Sequence, residues 1–203
     1  MSTTRLLLLG AVRIFQPVHG YLLRRELLTW QVQDWAHLNP GSIYSGLRTL
    51  AKRGLLEETD GEPVSYRLTA DGEVEYQRLL SSALRQPEPG DPSRLLGGLC
   101  FFTTLPRHEV REALRARDLV LEAMVSGMDS AVRGVESSRM APASTVELFH
   151  ATRSWVDGER GWVRDVCARI DAGHYRFADD PQGPDRPVEG LWPAAVPDPP
   201  GGA

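Results

Sequence analysis

The sequence predicts a mostly α-helical protein with a small β-hairpin. Its N-terminal part is a helical unit closed by that hairpin, and its second half is entirely helical. Three observations carry the prediction. Apolar residues recur at helical spacing through most of the 203 residues, 41% of which are hydrophobic, enough for a packed core. Residues 55–59 and 64–68 read as two short strands around the turn cluster Asp60-Gly61-Glu62-Pro63. The run QPEPGDP at 86–92 is a linker between two parts of different charge. Residues 1–86 carry 10 basic and 9 acidic side chains, and residues 87–203 carry 13 and 18. Only the first part suits a polyanion; the second suits protein or small molecules. The domains expected are 1–86, 87–177 and a disordered tail at 178–203, rich in Pro and Gly.

Residues 6–12 form a short apolar helix, which Gln16-Pro17-Val18-His19-Gly20 breaks; His19 is placed to cap or pack at the next helix start. That helix runs from about 20 to 30, with Leu23, Leu27 and Trp30 inward. Asn39-Pro40-Gly41 starts a third helix, which Gly54 ends. After the hairpin, Thr69 caps a helix to about Arg85, with Val74, Leu80 and Leu84 as its apolar contacts. The stretch 95–103 is short and very apolar. A long helix then spans 107–140, in which Leu114, Leu121, Met128 and Val135 lie seven apart, the spacing of a helix packed along a partner. A last helix spans 144–174. Phe149, Val156, Val163 and Ile170 form one stripe on it, and Leu148, Trp155 and Trp162 form a second beside the first, a face wide enough for two neighbours.

The third helix is the most informative segment. Ile43, Leu47, Leu50 and Ala51 fall on one face, while Ser42, Tyr44, Ser45, Arg48, Thr49 and Lys52 share the other. No Asp or Glu occurs between Asp34 and Glu57, in a chain of net charge -4. Small polar groups, a phenol and two cations on one helix face suit a phosphate-lined groove. Periodicity alone favours an ordinary solvated face, because most such helices bind nothing. Three helices, a hairpin and a closing helix in this order make a winged helix-turn-helix.

At His19-Gly20-Tyr21, Gly41-Ser42-Ile43-Tyr44, Leu47, Leu50, Gly54-Leu55, Tyr66, Leu68-Thr69 and Gly72, the chain resembles the PadR family of bacterial transcriptional regulators. The likeness spans about residues 6–84, and the helical second half is similar to the family's longer branch. The resemblance implies a cytoplasmic, dimeric DNA-binding repressor released by a small-molecule effector. Two C-terminal helices would build the homodimer, and the operator would be an inverted repeat in double-stranded DNA. By position, Ser42, Tyr44, Ser45, Arg48, Thr49 and Lys52 would face DNA, with Arg67 reaching it from the wing. Two departures stand out: Ser45 replaces a Pro common in the family, and the wing carries Glu57, Glu58, Asp60 and Glu62 against Arg67 alone. Carboxylates near phosphates are unfavourable, so the wing is expected to add little affinity. The alternative function is a winged-helix adaptor for protein partners that does not read DNA.

For the effector, Trp155 and Trp162 either frame a pocket for a planar molecule or pack a dimer core. Trp30 and Trp35 either join such a pocket or seal their own domain. Catalytic residues, cofactors and metal ligands are not expected: His108 and Glu112 are one helical turn apart, but one pair makes no metal site. Cys100 and Cys167 lack metal or disulfide spacing and read as two buried, inert thiols. The apolar N-terminus has no clear cleavage site, and no apolar run is long enough to span a bilayer.

Overall fold

The computed structural model describes residues 3–59, 61, 63–138, 141–142 and 144–185. These fall into two compact units, 3–80 and 81–185.

The first unit runs α1 (Thr3–Phe15), β1 (Val18–His19), α2 (Gly20–Thr29), α3 (Val32–Trp35), α4 (Pro40–Lys52), β2 (Leu56–Thr59), β3 (Ser65–Leu68) and the start of α5 (Ala70–Arg85). Every residue of α1 from Leu6 to Val12 is buried. A helix apolar all round has no solvent face to offer, so the rest of the unit encloses it. Both ends of α1 are tied to α5. Arg5 donates to Glu75 at 2.8 Å, and Arg13 donates to both oxygens of Glu73 at 2.9 and 3.0 Å.

Two elements of this unit escape the sequence reading. β1 pairs antiparallel with β3, Val18 opposite Tyr66 and His19 opposite Ser65, so the hairpin becomes a three-stranded sheet ordered β1-β3-β2. A two-residue strand has no alternation to read. His19 makes no side-chain cap bond on α2; its Nδ1 instead lies 2.7 Å from Ser65 Oγ across the sheet. The four-residue α3 follows Gln31, which adopts left-handed backbone. Val74, expected inward, is exposed on α5; Tyr76, Leu79 and Leu80 take the core positions. Asp60 and Glu62 of the acidic wing lie outside the described residues.

The second unit contains the end of α5, α6 (Ser93–Leu99), a 3₁₀ turn at Phe102–Thr104, α7 (Arg107–Ser137) and α8 (Thr145–Asp171). The seven-residue rows find partners within the chain: α7 and α8 pack as an antiparallel pair. Leu114, Leu121 and Val125 are buried with Val156, Val163 and Ile170, while Met128, Val135 and Phe149 are half-buried. Salt bridges follow the seam, with Arg111 on Asp171, Arg117 on Glu159, Arg160 on Asp118 and Arg153 on Asp129.

Residues 178–185 are held, contrary to the expected disordered tail. Phe177 is fully buried, and Ala178 N–H donates to Leu105 O at 3.3 Å. Arg107 donates to Ile170 O at 2.9 Å, to Tyr175 O at 3.2 Å and to Asp180 Oδ2 at 2.8 Å, with its guanidinium 4.7 Å from the Phe177 ring centre. One arginine at the start of α7 thus satisfies a terminal carbonyl of α8 and anchors the chain beyond it. The remaining 186–203 lie outside the described residues. The cysteines also differ from expectation. Cys100 is exposed, with Sγ donating to Leu96 O at 3.4 Å, and Cys167 is half-buried, its thiol pushed up by burial and then by Asp171.

Candidate nucleic-acid interface

α4 begins on Pro40, whose missing N–H costs nothing at a first helical position. It ends in a Schellman cap: Gly54 N–H donates to Ala51 O at 2.9 Å and Leu55 N–H to Leu50 O at 3.0 Å. Gly54 sits at φ +71°, where a side chain would be strained. Ile43, Leu47 and Leu50 are buried. Ser42, Tyr44, Ser45, Arg48, Thr49 and Lys52 are all exposed, as the sequence reading places them.

That exposed arc divides into two grooves. On one side Arg48, Ala51 and Lys52 face Leu56 and Glu58 of β2. On the other, Ser42, Ser45, Gly46 and Thr49 face Thr4, Arg5 and Leu8 of α1, with Arg53 at the end. Arg48 and Lys52 therefore lie on the hairpin side, and the hydroxyls of Ser42, Ser45 and Thr49 on the α1 side with Arg5 and Arg53. Ser45 donates to Ser42 O at 3.2 Å and Thr49 to Ser45 O at 2.8 Å. Each has spent its only donor on its own helix, so toward a partner both act as acceptors. Among the described residues neither Arg48 nor Lys52 has an ion-pair partner. Tyr44 is 37% exposed, and its ring packs where Gly20 leaves room: a Cβ there would lie 3.1 Å from it.

The hairpin separates its charges by face. Leu56 and Glu58 share one side, so Glu57, one residue between, points to the other. Arg67 stands opposite Glu57 in the β2–β3 register, and Tyr66 opposite Glu58. Arg67 therefore does not join Arg48 and Lys52 in the groove. Burial, and then the Glu58 carboxylate, push the Tyr66 phenol above its ordinary value, while Arg48 pulls it down. Sequence reasoning missed the nearness of Glu58 to the two cations, and the presence of Arg53 and Arg5 beside the hydroxyls. The alternation of β2 was legible, but which face met α4 was not.

Trp30 and Trp35 belong to the first unit, and Trp155 and Trp162 to the second. Trp35 Nε1 donates to Trp30 O at 2.9 Å, closing the α2–α3 turn. Trp155 and Trp162 line a cavity of about 550 Å³ in the second unit with Leu95, Leu96, Leu99 and the pair Arg117–Glu159. Arg117 is 2% exposed. It donates to Glu159 at 2.5 Å and to the carbonyls of Ala83, Leu84 and Gln86 at 3.0, 3.3 and 3.1 Å. Burial lowers its pKa, and Glu159 opposes that shift. No group of three or more His, Cys, Asp or Glu among the described residues is placed to hold a metal. No described helix is long and apolar enough to cross a membrane.

The family model of PadR-like transcriptional regulators matches residues 8–78. That family is one of regulators, not of enzymes. Comparison with curated proteins gives no match. Among solved structures, Bacillus subtilis PadR in complex with p-coumaric acid is 18% identical and has a TM-score of 0.37, over 83% of this chain and 96% of that one. The same regulator in complex with operator DNA is 21% identical with a TM-score of 0.35, covering 82% and 98%. A PadR-like regulator from Bacillus cereus is 15% identical with a TM-score of 0.35, covering 84% and 99%.

Proposed function

We propose that this chain, a PadR-like transcriptional regulator over residues 8–78, is a homodimeric repressor of the bacterial cytoplasm that binds an inverted-repeat operator and leaves it when a planar effector binds. The observation that carries the reading is the exposed α4 face. There Arg48 and Lys52, with no ion-pair partner among the described residues, stand with Tyr44 on a helix whose opposite side carries the buried Ile43, Leu47 and Leu50. Arg48 and Lys52 supply the phosphate or guanine-edge contacts, and Ser42, Ser45 and Thr49 accept from base amino groups. Arg67, on the far face of the hairpin, is a peripheral backbone contact. Dimerisation is assigned to α7 and α8, which leave Leu119, Val120, Leu148 and Trp155 exposed; Trp155 alone keeps 68% of its surface. A two-fold pair would set two α4 helices about 34 Å apart, one turn of duplex. The effector site is the cavity of Trp155 and Trp162; Trp30 and Trp35 have no part in it.

Selection from random duplex with the full chain tests this. The expected result is an enriched inverted repeat whose affinity falls steeply with salt. Light scattering should give a dimer, which Leu119→Asp with Leu148→Asp converts to monomer. Failure to enrich any sequence, with no salt dependence on random duplex, would favour the adaptor, for which the carboxylates of the hairpin are the supporting feature.

A further inference from the structure

We infer that Arg53 is a second phosphate contact of α4, on the strand of the duplex opposite the one that Arg48 and Lys52 hold. The inference rests on the DNA-binding reading above and adds a residue and a strand. Arg53 caps the C-terminal end of α4, its backbone N–H donating to Thr49 O at 3.2 Å. It lines the groove of Ser42, Ser45, Gly46 and Thr49, beside Thr4 and Arg5 of α1. Of the two cations in that groove one is committed, since Arg5 Nη1 donates to Glu75 at 2.8 Å. Arg53 is exposed, and among the described residues its guanidinium has no ion-pair or hydrogen-bond partner. No Asp or Glu lies between Asp34 and Glu57, so no carboxylate of the helix competes for it.

The helical period sets which phosphates these cations meet. At about 3.6 residues per turn, Arg53 stands about 140° around α4 from Arg48, whereas Lys52 stands only about 40° from it. Arg53 falls within about 40° of both Ser42 and Thr49. An α-helix with its side chains is about 10–12 Å across, and the major groove is about 12 Å wide. A helix seated there fills the groove from wall to wall, so its two flanks meet the two sugar-phosphate strands. Arg48 and Lys52 line the flank toward β2. On the flank toward α1, Ser45 and Thr49 have spent their donors on the helix itself, and phosphate oxygens only accept. Arg53 carries the uncommitted charge of that flank. A cation at a helix C-terminus also favours the fold through the helix dipole. That role alone would move stability and leave duplex binding untouched.

The test uses the full chain on random-sequence duplex and on the inverted repeat enriched from it, the latter also with single methylphosphonates, each of which removes one phosphate charge, on either strand. Arg53→Gln should lower the salt slope on random duplex by about one, as Lys52→Gln does, while Arg53→Lys keeps it. On the enriched repeat, Arg53→Gln should abolish the loss caused by a methylphosphonate on one strand, and Lys52→Gln the loss caused by one on the other strand. An unchanged slope in Arg53→Gln, with a lowered unfolding midpoint or without one, would overturn the contact. Both substitutions silencing linkages of the same strand would overturn the placement across the groove. The methylphosphonate scan of the unaltered chain decides the strand question even where Arg53→Gln fails to fold: losses confined to one strand of each half-site would overturn it. An unaltered chain with no salt-dependent binding to either duplex would instead remove the DNA-binding reading itself.

Discussion

Gly72 and Leu55 meet backbone to backbone: a Cβ on Gly72 would lie 2.0 Å from the Leu55 carbonyl oxygen. The same carbonyl accepts from Thr69 N–H at 3.3 Å, while Thr69 Oγ1 donates to Gly54 O at 2.6 Å and accepts from Gly72 N–H at 3.0 Å. The cap of α4 and the first turn of α5 thus form one knot. Gly72→Ala should cost about 1–3 kcal/mol, because the obstacle is main chain and cannot swing aside. Gly134→Ala, in open space on α7, should stabilise by about 0.5–1 kcal/mol. Chemical denaturation of both variants checks the contrast. Equal effects would show that the close approach is not what Gly72 serves.

The division of charge across the hairpin predicts unequal roles. Arg48→Ala should weaken operator binding by about 1–3 kcal/mol, and Lys52→Ala should lower the salt slope by about one. Arg67→Ala should change either quantity far less. Glu58→Gln should strengthen binding to random duplex at low salt, since Glu58 faces the same groove as the two cations. Gel shifts across a salt series read all four. An Arg67 effect equal to that of Arg48 would contradict the assignment of faces.

Arg117→Ala should destabilise the second unit by about 3 kcal/mol, because it strands Glu159 and three helix-end carbonyls together. Its calorimetric unfolding temperature should fall well below that of Arg153→Ala, whose guanidinium is 37% exposed. A drop no larger than that control would mean the buried pair is energetically idle.

The segment after α8 should loosen in acid. Hydrogen bonds from Phe177 N–H and then Arg107 hold the Asp180 carboxyl below its ordinary value of 3.8. A depressed folded pKa stabilises above the unfolded value and is lost as pH falls through the folded one. Amide exchange over 172–185, taken relative to the intrinsic rate at each pH, should therefore be slow at neutral pH and become fast only below 3.8. Asp180→Asn should show the fast exchange already at neutral pH. Exchange independent of both would detach Asp180 from the anchoring.

Much of this protein lay in its local pattern. The face of α4, its Pro40 start and Gly54 end, the hairpin and the long helices follow from spacing and turn chemistry, which act over a few residues. So does the exposure of Ser42, Tyr44, Ser45, Arg48, Thr49 and Lys52, because a 3.6-residue period fixes which side chains oppose Ile43 and Leu47. What the sequence left open were relations between distant segments. Two residues of β1 became a strand only because β3 offered a free edge. Arg67 left the cationic face because packing of Leu56 chose which side of the hairpin met α4. Trp30 turned to Trp35, the seven-residue rows of α7 closed on α8 within the chain, and Arg117 gathered carbonyls from the end of α5. Such pairings are settled by which apolar surfaces and unmet polar groups arrive together on folding, and no run of neighbouring residues encodes that arrival.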